Sequence, residues 1–348
     1  MTKIHLYWTT ILRAVITLIT LLTIFASCAP RQEIRDQFRE VAQPYAFDFI
    51  TWEFHALSSL PCDMWGKESQ ARQESILRNQ IIEVLRDNHI TVSPPLLFKV
   101  TKPPHLLVIS PRDKILYFDR LLLREELSDV EKESIEAEID ALGFSSLVAE
   151  LGGFGGTYPP SVGDFNNRSD TISAIVEEWF HQYLVFRPLG FLYFLDSTGI
   201  IHSQEIVTMN ETLADMVSHE ISSEVCALYY PDEKLNKPER KTSGFDFDAE
   251  MRETRTQADW YLAQGMVKEA EQYMEQRRQM FEENGYYIRK LNQAYFAFHG
   301  IYGADPGSVS PINEDLKKLR ARSTTLSSFI QSAAAMTSYK ELRDALAD

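Results

Sequence analysis

The sequence predicts an α+β fold, mainly α-helical, with a small β-sheet beside the central helices. Three observations carry this expectation. Apolar residues recur at helical spacing through most of the second half, the segment from Pro94 to Arg124 switches to short apolar runs around turn residues, and glycines separate the helical stretches. The 348-residue chain is 44% hydrophobic with 15 Gly and 15 Pro, which supplies a sizeable core and excludes a disordered or collagen-like protein. Its 35 Lys+Arg against 50 Asp+Glu give a net charge of -15, which repels phosphate backbones and argues against nucleic acid as a partner.

Residues 1–28 read as an export signal. Lys3, His5 and Arg13 form a weakly basic head, and the uncharged run from Ala14 to Ala26 is shorter than the ~20 residues a spanning helix needs. Phe25-Ala26-Ser27-Cys28 then resembles the lipobox of bacterial lipoproteins, which implies a lipidated Cys28 anchoring the domain to the extracytoplasmic face of the membrane. Ordinary cleavage and an uncleaved anchor are the alternatives, and each also exports the domain. Three cysteines are too few for a disulfide scaffold and fit no zinc ribbon, but outside the cytoplasm Cys62 and Cys226 can pair.

An N-terminal helical region, 29–93, follows, with helices expected at Tyr45 to Leu57 and Glu68 to Asn88, the latter through Ile76, Leu77, Ile81, Ile82 and Leu85. A core region, 94–230, opens with a β-hairpin: Leu106 to Ile109, the turn Ser110-Pro111-Arg112-Asp113, and Ile115 to Leu123. Ser128 with Glu131 forms a capping box for a helix reaching about Leu151, ended by Gly152-Gly153-Phe154-Gly155-Gly156. That cluster lacks the Gly-Lys-Ser/Thr of a phosphate loop and reads as a helix stop and turn. Helices are expected at Asp170 to Val185 and Thr208 to Leu228, then a polar linker from Lys234 to Gly244. The C-terminal helical region, 245–348, carries Asp248 to Gln264, Met266 to Asn284 and Tyr286 to His299, with Gly265 joining an αα-hairpin.

The chemistry lies on the two central helices. Glu177 and His181, four residues apart, share one helix face and can grip one ion, and Asn210-Glu211 with Asp215 brings further carboxylates on the next helix. The pair resembles the two-helix site of gluzincin zinc metallopeptidases, His-Glu-x-x-His followed by Asn-Glu-x-x-x-Asp. The resemblance implies a zincin-like core with His181 as second metal ligand, Glu211 as third and Glu178 as the general base. Glu177 stands where the family has its first histidine ligand. It implies Asn210 and Asp215 in supporting positions, Zn²⁺ as the ion with Mn²⁺ or Fe²⁺ compatible, and a peptide or protein substrate. Asp215 would then face Glu177, and without metal one of the two should take up a proton or turn away.

Gluzincins also use a C-terminal Tyr or His to stabilise the oxyanion, and Tyr295, His299 and Tyr302 are candidates by residue type. The plainer reading makes Glu177 and Glu178 a solvated helix face, Thr208 with Glu211 a capping box, and the C-terminal aromatics core residues. The two functional expectations are accordingly a surface-anchored metallopeptidase-like hydrolase and a catalytically inactive envelope lipoprotein that keeps the fold as a binding or structural module.

Overall fold

The computed structural model describes residues 32–54, 69–165, 167–231 and 244–347. Cys28, Cys62, the export signal and most of the linker from Lys234 to Gly244 lie outside these residues, while Cys226 is buried. Among the described residues the architecture is mainly helical with two small sheets. Among the described residues no helix is long and apolar enough to cross a membrane.

The larger sheet has the order β3-β2-β4, with β2 (His105–Pro111) antiparallel to both β3 (Asp119–Leu123) and β4 (Phe144–Glu150). Side chains alternate along β2 and sort the core into two layers. Leu107 and Ile109 join Val148, Phe38 of α1 (Gln32–Ala42) and Ile135 and Ile139 of α3 (Asp129–Ala141) on one face. Leu106 and Val108 join Leu147 and Ala149 on the other, against Ala294, Ala297 and Phe298 of α9 (Gln293–His299). The second sheet, β1 (Lys99–Val100), β6 (Ser161–Val162) and β5 (Gly153–Phe154), is minimal. The main apolar core gathers α2 (Ser69–Asp87), α4 (Arg168–Val185), α5 (Pro188–Ser197), α6 (Gln204–Tyr229), α10 (Ile312–Arg322), α11 (Leu326–Ala334) and α12 (Tyr339–Ala347) around Trp179 and Phe180. The expected αα-hairpin forms from α7 (Phe247–Ala263) and α8 (Val267–Glu283), with Gly265 at φ 73°.

The expected hairpin is β2 and β3, and the Ser128–Glu131 capping box is present in full. The helix it opens, however, ends at Ala141 rather than near Leu151. Gly143, at φ 89°, turns the chain out of the helix, and the following apolar run pairs with β2 as β4. The predicted helix at Tyr286 to His299 shrinks to α9, because Asn292 caps it by accepting the Tyr295 N–H at 2.9 Å. Of the expected Tyr45–Leu57 helix, the described part is a 3₁₀ turn at Gln43–Tyr45 and a helical stretch at 49–54. Helix α6 starts four residues before Thr208, capped by Ser203, so Thr208 and Glu211 are buried within the helix and form no capping box. The segment between α4 and α6 contains α5, an apolar helix that reaches the site.

Candidate metal centre

Helices α4 and α6 pack along one another and bring Glu177, His181 and Glu211 together, with one ligand atom from each lying within 4.8 Å of the others. Glu177 and His181 meet because one helical turn separates them, and Glu211 projects from the facing, fully buried stretch of α6. His181 Nδ1–H donates to Asn210 Oδ1 at 2.8 Å, which leaves Nε2 directed at Glu211 Oε2, 3.5 Å away. Asn210, expected in a supporting position, is thus the partner of the His181 ring.

The charges are crowded. Burial raises the Glu177 carboxyl well above the usual carboxylate range, and Glu178, Glu211 and Asp215 push it further against the opposing pull of His181. Glu178 is raised as well, by burial and by Glu211, with His181 and the Gly155 N–H opposing. Burial works against the imidazolium, yet Glu211, Glu178 and Glu177 outweigh it and push His181 up to about 10. Asp215 pairs with His219, Oδ1 to Nδ1 at 3.1 Å, and lifts that imidazole to about 9. The expected conflict between Asp215 and Glu177 is thus resolved both ways: Glu177 favours its protonated form, and Asp215 is engaged by a histidine.

The glycine cluster is not a helix stop. Gly153 and Gly155 lie directly on α4, where a Cβ at Gly153 would overlap the Glu178 carboxylate and one at Gly155 would meet the Glu178 backbone oxygen at 2.7 Å. The Gly155 backbone offsets part of the rise in the Glu178 carboxyl, and Gln182 donates to Gly155 O at 3.0 Å and Thr157 O at 2.6 Å. The absence of side chains lets the strand approach the candidate base closely.

Of the three C-terminal candidates, Tyr302 alone is drawn to the group: burial and the charges of Glu211, Glu177 and Glu178 raise its hydroxyl well above 10. Its loop is held by Gly303 N–H donating to Thr212 Oγ1 at 3.0 Å, next to Glu211. Tyr295 and His299 pack on each other, ring centroids 4.1 Å apart, and His299 Nδ1 bonds Asp305 Oδ2 at 2.9 Å. The capping of α9 at Asn292 turns both into this separate cluster, so neither takes the expected place at the site. His202 lies against Arg35, 3.0 Å away.

Sequence reasoning missed Tyr193, on α5. Its hydroxyl donates to Glu211 Oε1 at 2.7 Å, and its ring stacks on His181 at 5.5 Å and 17°. Behind it Arg120 is in reach of Asp196 at 3.3 Å and stands over Tyr117. Tyr193 sits in the run Leu189 to Leu195, whose apolar character gives no sign of a polar partner.

Fold and site define a mainly helical α+β protein with a half-buried carboxylate–histidine group close enough to bind a metal ion. No protein-family model matches the chain, nor does any curated protein or solved structure.

Proposed function

We propose that the protein is a metal-dependent hydrolase of gluzincin type, acting on peptide bonds and anchored outside the cytoplasm through Cys28. The observation that carries this reading is the convergence of Glu177, His181 and Glu211, with Glu178 adjacent and closely approached by Gly153 and Gly155. Two carboxylates and one imidazole suit a borderline divalent ion, and the raised Glu177 carboxyl marks a cluster short of positive charge. When bound, such an ion supplies a Lewis acid that polarises a carbonyl and makes water acidic. Glu178 accepts the proton from water and passes it to the leaving amine. Tyr302, kept protonated by its surroundings, donates a hydrogen bond to the oxyanion. Glu177 at the first ligand position favours a second reading, an inactive envelope lipoprotein that retains the fold.

Metal content and its pH dependence test the proposal. Protein purified without chelator is expected to hold about one divalent ion, and added Zn²⁺ to raise its melting temperature. Ligation requires a neutral His181 and an ionised Glu177, both of which hold protons near neutrality in the free site. Zinc binding is therefore expected to release protons and to tighten as pH rises from about 6 to 9. No bound ion and no thermal shift would exclude the hydrolase reading.

A further consequence concerns Gly153→Ala. The added methyl would overlap Cγ, Cδ and Oε1 of Glu178, so the whole side chain must swing aside, and peptide hydrolysis should fall on the order of 100-fold while zinc affinity holds. Calorimetric zinc titration beside steady-state kinetics separates the two effects.

A further inference from the structure

We infer that Tyr193 determines which divalent ion the site prefers, by withholding one oxygen of Glu211. The inference rests on the metal-site reading above and adds a residue that the two-helix motif does not contain. Tyr193 donates to Glu211 Oε1 at 2.7 Å, while Glu211 Oε2 is the oxygen turned towards His181 Nε2 at 3.5 Å. A carboxylate oxygen engaged by a short hydroxyl bond is a poor second donor to a cation, so Glu211 ligates through Oε2 alone.

The hydroxyl is rigidly placed. Asp196 at the end of α5 accepts the Ser203 N–H at 2.8 Å and faces Arg120 at 3.3 Å, and Gly190 near its start seats the helix on the Leu184 backbone of α4. The ring stack on His181 orients the second ligand with the same side chain. Holding Glu211 to one oxygen lowers the number of protein donors. Zn²⁺ is content with about four ligands, whereas Mn²⁺ and other oxygen-seeking ions favour about six and gain from two-oxygen carboxylates. Tyr193 is thus a positioning residue that favours zinc and disfavours manganese.

The test compares Zn²⁺ and Mn²⁺ affinities of the full chain and its Tyr193→Phe variant by competition with a chromophoric chelator. Phenylalanine keeps the ring and removes the hydroxyl, so the ratio of zinc to manganese affinity should fall about 10-fold, the size of a lost supporting contact. An unchanged ratio overturns the inference. Glu211→Gln distinguishes the two levels: if it weakens zinc binding while Tyr193→Phe leaves the ratio intact, the metal site stands and the role of Tyr193 does not. If Glu211→Gln has no effect on either ion, both fall. A measurement on the unaltered protein guards against misfolding of the variant: its Co²⁺ complex should show the intense visible bands of a four-coordinate ion, and the weak bands of a six-coordinate ion would overturn the inference.

Discussion

Glu177→His is expected to bind Zn²⁺ about 10-fold more tightly than the unaltered protein, or better, and to hydrolyse peptides faster. Glu177 is a costly candidate ligand because its half-buried carboxyl lies beside Glu178, Glu211 and Asp215, which favour the protonated form, whose proton the ion must displace. A histidine offers a neutral nitrogen, so no carboxyl has to lose its proton and add a negative charge to that cluster when the ion binds. Asp215, now paired with His219, lies near enough to raise Glu177 and can accept an N–H from the new ring, orienting it as supporting carboxylates do at zinc sites. Adding Glu178→Gln should abolish the gain in hydrolysis and leave the gain in affinity, since the amide cannot take up the proton from water. Calorimetric titration and peptide kinetics on the single and double variants check this. Unchanged zinc affinity in folded Glu177→His protein would sink the metal-site assignment, and hydrolysis that survives Glu178→Gln would overturn the role of the base.

Gly190→Ala is expected to cost about 3 kcal/mol of stability, at the upper end of ordinary overpacking. A Cβ at Gly190 would overlap the Leu184 carbonyl, which is main chain of α4 and cannot rotate aside. Helix α5 must move away, taking Tyr193 from Glu211 and His181, so zinc affinity should fall together with stability. Gly143→Ala is the contrasting case. Nothing lies within 4 Å of its added methyl, and only the positive φ of 89° is penalised, by roughly 1–2 kcal/mol and without effect on zinc. Urea unfolding of both variants with and without zinc measures the difference. Equal losses in the two proteins would show that close packing of α5 on α4 is not what Gly190 provides.

The sequence by itself determined the parts that depend on neighbours along the chain. A period of 3.6 is enough to put Glu177 and His181 on one face of α4, and the Ser128–Glu131 box needs only four consecutive residues to open α3. The Asn-Glu-x-x-x-Asp pattern was legible for the same reason, as one helix face of α6. Tertiary structure decided what local chemistry leaves ambiguous. Leu147-Val148-Ala149 is compatible with a continued helix, and it became β4 because β2 offers a ladder of hydrogen bonds and an apolar layer on each face. Tyr193 meets Glu211 across 18 residues, Gly155 meets Glu178 across 23, and Gly303 meets Thr212 across 91. No pattern in the chain encodes such contacts, since each depends on how separate elements pack. Tyr295, His299 and Tyr302 were equivalent candidates for one role, and the fold set Tyr302 among the charges of the site while His299 bonds Asp305 with Tyr295 packed on it. The pairing of Glu177 with His181 was therefore readable from helical spacing and Glu211 from the resemblance of the two-helix pattern, whereas the protonation of this candidate group, the close approach of Gly153 and Gly155 to Glu178 and the donor on Glu211 arise from burial and packing between elements far apart in sequence.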